Sequence, residues 1–466
     1  MKNKTLVLLT LLLIFACNTY QNLPTQTTDT DWIYEEIPAT PQVADGDVAQ
    51  GFDYISSGDY VGTGAPYGLV EKRFAKYRDT LLHRTGNNAR MPYSQTAFEM
   101  ENGAKVVTGT CFACHAGRLE GELIPGLGNS KSDFTKSLKL FAFGINTMTK
   151  LKYRKRSIER QAFQPYGHLL PKGLRYIKTP NPGVNPAFRL EEGYANFRDP
   201  TDLEYEQKKQ YDMPRYVLAS DVPPLWNVKK KNALYYNGMG RGDFRKQFMQ
   251  ASLAGVRDTV QAREILNSFE NVLTWMHSLE APKFPKEIDT NIAERGQAIF
   301  EENCSKCHGY YGETERYPNK LISLEKVGTD PYYAQYFMRN DGLSDWYNRS
   351  WYANSAPYSK HEPKAGYVAP PLDGIWASAP YLHNASVPTL VDLLDSKQRP
   401  KYWKRVWDSR AYDYEKMGWQ YESMSKPKGK HTYDTTLQGY GNQGHIFGDK
   451  LTVDERTALI EYLKTL

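Results

Sequence analysis

Two five-residue stretches constrain this chain more than any other feature: Cys111-Phe112-Ala113-Cys114-His115 and Cys304-Ser305-Lys306-Cys307-His308. Both read C-x-x-C-H, the attachment pattern for c-type haem. Two thiols at this spacing add across the two vinyl groups of one porphyrin, and the histidine that follows puts an imidazole on the iron as its fifth ligand. Four of the five cysteines fall in these pairs. A zinc ribbon would need its ligand pairs close together in sequence, and here they lie far apart. A dithiol redox pair does not need a histidine directly after it. The spacing therefore predicts two covalently bound c-type haems, with thioether bonds on Cys111, Cys114, Cys304 and Cys307 and proximal ligands His115 and His308.

The start of the chain predicts export, which such haems require. Lys2 and Lys4 precede an apolar run from Leu6 to Phe15, of signal-peptide length and short for a membrane span. The run ends Ile14-Phe15-Ala16-Cys17, a bacterial lipobox pattern in which Cys17 takes the lipid. The expectation is a periplasmic or cell-surface lipoprotein, held to the membrane only by that anchor. The net charge of +6 over 466 residues is too weak a bias to argue for nucleic acid.

The pattern along the chain predicts a mainly α fold with two cytochrome c-like haem domains and long irregular loops. Residues 1–16 read as signal, 17–50 as polar tether, 51–282 as the N-terminal haem domain and 283–466 as the C-terminal cytochrome c domain. Helical periodicity appears over Pro66 to Leu82, Phe134 to Leu151, Arg257 to Leu279 and Ala293 to Asn303. A capping box, Thr452 with Glu455, opens the last helix. Gly296 is expected at a close crossing with the Leu459/Leu463 stripe. Gly117 to Asn129 and Pro165 to Pro200 read as irregular. A faint repeat pairs Pro223-Pro224-Leu225-Trp226 with Pro370-Pro371-Leu372-Asp373, each after its own haem motif.

What each iron could do turns on its sixth position: a second histidine or methionine gives an electron-transfer haem, and a vacant position admits oxygen or peroxide. For the second haem the candidates are His445, in the flexible run Gly441-Asn442-Gln443-Gly444-His445, then His383, with Met338 a weaker third. The first domain offers no comparably placed histidine. Trp226, Tyr235, Tyr236 and Phe244 stand near its Pro-Pro-Leu loop, either as the roof of an open haem face or as core.

These residues resemble the rubber oxygenase family, exported dihaem c-type enzymes that cleave polyisoprene and are related to bacterial dihaem cytochrome c peroxidases. The resemblance rests on both haem motifs, on Pro223-Pro224-Leu225-Trp226, on the run Pro371 to Asn384 and on Gly444-His445. It implies that the haem on His115 is catalytic, that the haem on His308 is closed by His445, and that Trp226 relays electrons between them. Tyr236 and Phe244 would join Trp226 as catalytic residues. It implies dioxygen-dependent cleavage of an apolar alkene, small or polymeric. The alternatives are a peroxidase drawing electrons from a small redox protein and a non-enzymatic electron carrier.

Overall fold

The computed structural model describes residues 33–466 apart from Ala219, Thr314, Asp341, Lys430 and the Pro165 side chain. Cys17 and the signal run lie outside the described residues. Four helices set the frame: α1 (Val48–Ser57), α2 (Thr259–Ser278), α3 (Thr290–Asn303) and α4 (Val453–Leu463). Asp47, Asp258, Asp289 and Thr452 cap them by accepting hydrogen bonds from first-turn amides. At Thr452 the expected capping box is complete. No described helix is long and apolar enough to cross a membrane.

The expectation of a mainly α molecule is corrected. Helix makes up 39% and strand 14%, with the strands dispersed in small antiparallel sheets. Several of these tie distant segments. Tyr34–Glu36 pairs with Lys320–Ser323, which pairs with Gly366–Val368. Gly240–Gly242 pairs with Ser359–His361. The stretch after the first haem motif, read as loop, is a hairpin of Ala116–Leu119 and Glu122–Pro125. Its two turn residues, Glu120 and Gly121, both have positive φ (52° and 87°), the condition for a tight primed turn. The region from Pro165 to Pro200 holds the end of one helix (Ile158–Gly173) and a second (Ala187–Ala195). The helix expected from Pro66 to Leu82 shrinks to Tyr67–Phe74. Beyond it, Asp79 accepts from the Leu81 and Leu82 amides and pairs with Arg84, a local side-chain alternative to the helix ladder.

One large core runs through α1, α2 and the helices Ala187–Ala195, Tyr332–Arg339 and Gly342–Arg349, so residues from both sides of the Ala281–Glu287 linker share it. The chain's many tyrosines go here; Tyr60, Tyr333, Tyr336, Tyr347 and Tyr352 are buried. Their hydroxyls need partners, as when Tyr60 donates to the Ile55 carbonyl at 3.0 Å. A second core joins α3, α4 and the Leu372–Leu394 region with Trp226. Here Gly296 makes the close crossing, but against Ala458 and Tyr462, not the Leu459/Leu463 stripe. A Cβ on Gly296 would lie 1.9 Å from the Ala458 carbonyl oxygen and 2.8 Å from the Tyr462 Cβ. Leu459 and Leu463 turn inward to the second core.

Candidate haem sites

The second motif follows α3 without a break. Cys304 caps α3 through its amide to the Phe300 carbonyl, and one further helical turn, Ser305–His308, carries Cys307 and His308. The thiols of Cys304 and Cys307 are free. His308 Nδ1 lies 2.8 Å from the Pro370 carbonyl oxygen. An N–H donated there leaves Nε2 with its lone pair toward the haem side. The His445 ring stands opposite, its centroid 6.2 Å from that of His308. Two metal–imidazole bonds of about 2 Å each, plus the offset from nitrogen to ring centre, need about that span. Burial, with His308 and Arg399 nearby, pushes the His445 imidazole down to about 3, so it is neutral and able to ligate. The residues present fit a haem iron between two histidines.

His445 is held by an unusual loop. Gly444 and His445 both take positive φ (75° and 46°), and a Cβ on Gly444 would lie 2.1 Å from the Gly328 carbonyl carbon. The His445 amide donates to the Val327 carbonyl at 2.7 Å. The other two candidates lie elsewhere. His383 is buried and stacked on Tyr367, ring centroids 4.1 Å apart. Met338 is 41% exposed and lies outside the buried core.

The first motif is seated differently. Phe112, fully buried, fits against Phe52 of α1 and Trp275 of α2, ring centroids 5.9 and 5.7 Å away. Burying such a ring contributes about 1.5–3 kcal/mol. The Cys111 amide donates to the Tyr60 hydroxyl at 2.8 Å. The His115 carbonyl accepts from Gly126 of the hairpin's end, and the Cys114 carbonyl from Asn129, both at 2.8 Å. The Cys111 and Cys114 thiols are free, with burial raising Cys111 to about 11. His115 differs from His308 in two respects. Its Nδ1 is buried with no partner, and among the described residues no histidine ring faces it as His445 faces His308. Burial, with Lys231 close by, lowers His115 to about 4. Half-buried free thiols beside a neutral, unpartnered imidazole fit a covalently held haem here too.

Trp226 lies between the two motifs. Its indole N–H donates to the Asp373 carbonyl at 2.8 Å, three residues beyond the carbonyl that orients His308. Its ring also packs near Gly126, whose amide bonds the His115 carbonyl, and against Gly374. Asn227 donates to the Pro371 carbonyl at 3.2 Å, so the two Pro-Pro-Leu segments dock on each other. Tyr236 donates to Asp221 at 2.9 Å and sets its ring edge toward His383 and Tyr333. Phe244 is fully buried in the large core, at the start of a short helix whose cap is Asp243.

Sequence reading missed three residues. Glu191 lies near the Cys111 and Cys114 thiols; burial pushes its carboxyl up to about 7, while the Tyr235 hydroxyl, 3.4 Å away, pulls the other way. Lys231, half-buried and lowered by desolvation to about 8, acts on His115. Arg399 grips the His445 loop. Single charged residues outside any motif give no sequence signal.

Comparison with known families agrees with the second site. Residues 366–404 match a family described as RoxA-like, cytochrome c-like, and residues 293–375 match cytochrome c. Two uncharacterized proteins of Sinorhizobium fredii (strain NBRC 101917 / NGR234) are similar. The one named y4iJ is 32% identical over 40% of this chain and 41% of its own length; y4iM is 26% identical over 56% and 68%. The chain thus spans about two fifths of the first relative and two thirds of the second. The matches correct the expectation of two cytochrome c-like domains, since that signature is confined to residues 293–404. Residues 293–404 are thus similar to RoxA-like, cytochrome c-like domains and to cytochrome c, and a domain of that kind implies a covalently bound c-type haem in this C-terminal region.

Proposed function

We propose that the chain is an exported dihaem oxidoreductase in which the haem on His308 moves electrons and the haem on His115 does oxygen chemistry. The observation that carries this reading is the asymmetry of the two sites: His445 opposes His308, and no histidine ring among the described residues opposes His115. When bound, the first haem supplies an iron that takes up dioxygen or peroxide. Around it, the chain excludes water with Phe112, Trp275 and the tyrosine-rich core. Trp226, in contact with segments from both motifs, is the proposed relay, and Cys17 the proposed membrane anchor. The favoured reaction is dioxygen-dependent cleavage of an apolar alkene, in which both oxygen atoms end in carbonyl groups and no net protons or electrons are consumed. Tyr236 and Phe244 would border its substrate.

A second reading, peroxide reduction, is favoured by Glu191. Reducing hydrogen peroxide to two waters consumes two electrons and two protons. A half-buried carboxyl raised to about 7, within reach of Tyr235, can hold one of those protons at neutral pH. Electrons would then enter from a small redox protein at the second haem. The test is the visible spectrum of the reduced, haem-loaded protein with and without carbon monoxide. A shift of about half the haem absorbance is expected, from one vacant iron. No shift would leave electron transfer alone.

A further inference from the structure

We infer that Arg399 is the positioning residue of the second haem, holding His445 on the iron through the carbonyl groups of its loop. A guanidinium has five N–H donors in a fixed fork. Arg399 directs all its nitrogens to main-chain carbonyls: Nε to Asp392 at 3.0 Å, Nη2 to Leu393 at 2.8 Å and His445 at 3.0 Å, and Nη1 to Asn442 at 2.7 Å and Gly444 at 2.6 Å. Two of these carbonyls belong to the short helix Leu390–Leu394, and three to the loop that ends in His445. One side chain therefore bolts the ligand loop to a helix of the cytochrome domain.

The loop depends on this contact because, among its described anchors, Arg399 is the one that takes the Gly444 and His445 carbonyls. Asp330 accepts from the Gly439 and Gly441 amides at 3.1 and 3.0 Å, and Asn384 donates to the same residues' carbonyls at 3.3 and 2.8 Å. These hold the loop upstream. At the ligand itself, the His445 amide is tied to the Val327 carbonyl at 2.7 Å. On either side of that amide, the Gly444 and His445 carbonyls bond to Arg399, in two residues with left-handed backbone. For a non-glycine residue that conformation persists only when its surroundings impose it. Lysine cannot substitute, since a single ammonium has three donors and no planar fork. Asp392, Asp395 and Asp449 lie close enough to favour the charge of Arg399, but its hydrogen bonds go to neutral carbonyls. The fork geometry, more than the charge, does the holding.

This inference rests on His445 being the sixth ligand, so that is checked first with His445→Ala in the full haem-loaded chain. That variant is expected to turn the second haem high-spin; an unchanged spectrum would overturn the ligand itself. Arg399→Lys and Arg399→Gln are then compared with Arg456→Gln, an arginine that pairs with Asp395 and reaches the Gly448 carbonyl at 3.4 Å, past the loop that ends in His445. Both Arg399 variants should weaken the hold on the iron about tenfold or more, as outer-shell losses commonly do. The readouts are a high-spin fraction at the second haem, faster carbon monoxide capture there, a raised midpoint potential, and recovery of the low-spin band on adding imidazole. Arg456→Gln should lower thermal stability and leave the spectrum alone. If His445→Ala becomes high-spin while folded Arg399→Lys keeps a wild-type spectrum and potential, Arg399 is a structural residue only and the inference fails.

Discussion

At the scale of single residues, Asp221 offers a measurable pH signature beside Tyr236. Burial pushes its carboxyl from 3.8 up to about 7, against the hydrogen bond from Tyr236, the Val222 amide and the charge of Arg405. Between those two values the folded protein keeps a proton that the unfolded chain releases. Stability is therefore greatest below the unfolded value, falls as pH rises to about 7, and levels off above it. Asp221→Asn removes this dependence while leaving an oxygen for Tyr236 to donate to. Relative to wild type, the variant should gain on the order of 2–4 kcal/mol between pH 4 and pH 7.5, read as the change in the urea-midpoint difference between the two proteins. Comparing the pair cancels the opposite contribution of His383, which burial lowers to about 3. A difference that stays constant with pH would sink the assignment. None of this was legible in the sequence, where Asp221 is an ordinary acid before a Pro-Pro pair. A carboxyl titrates near neutrality only because distant segments close over it.

At the scale of elements, what could be read was what periodicity and caps determine. α2, α3 and α4 came out within a few residues, because an aspartate or threonine cap and a regular apolar face specify a helix locally. The haem hairpin was missed because Glu120 looks unsuited to a primed turn, and only its positive φ reveals one. The Gly296 crossing was anticipated, yet its partners were displaced from Leu459 and Leu463 to Ala458 and Tyr462. The apolar stripe of α4 faces its core, while the backbone meets α3 through a small residue. This crossing fixes α3, and α3 fixes Cys304. A side chain at 296 would have to displace the Ala458 carbonyl, which is backbone and cannot swing away. Gly296→Val should cost at least about 3 kcal/mol. The loss would register as a lower thermal midpoint together with haem lost from the second motif before the first. Equal stability would mean that α3 and α4 separate without consequence.

At the scale of the whole molecule, the two sites are unequal in a way that one sequence motif written twice conceals. His308 has a carbonyl on Nδ1 and a facing histidine; His115 has neither, and its neighbour Lys231 is basic. A second, surface asymmetry sits at the second motif. Lys306, Lys320 and Lys326 lie close enough to the Cys307 thiol to act on it electrostatically, and Lys450 does the same at Cys304. Lys306 and Lys320 also flank the exposed Tyr34 ring, 5.8 and 4.7 Å from its centroid, and Ile446, beside His445, is 59% exposed. Under the proposed electron-transfer role, a basic rim with apolar patches beside the second motif would suit an acidic redox protein, since complementary charge speeds encounter and salt screens it. The rate of reduction by a small acidic electron-transfer protein should fall several-fold between about 10 mM and about 300 mM salt. Lys306→Glu with Lys326→Glu should slow it several-fold at low salt. Reduction by a neutral small-molecule reductant should be unaffected by either change, because such a reductant has no charge to steer. A donor rate indifferent to both salt and charge reversal would place electron entry away from this edge, and would leave an oxygenase that needs no external electrons as the simpler account of the second haem.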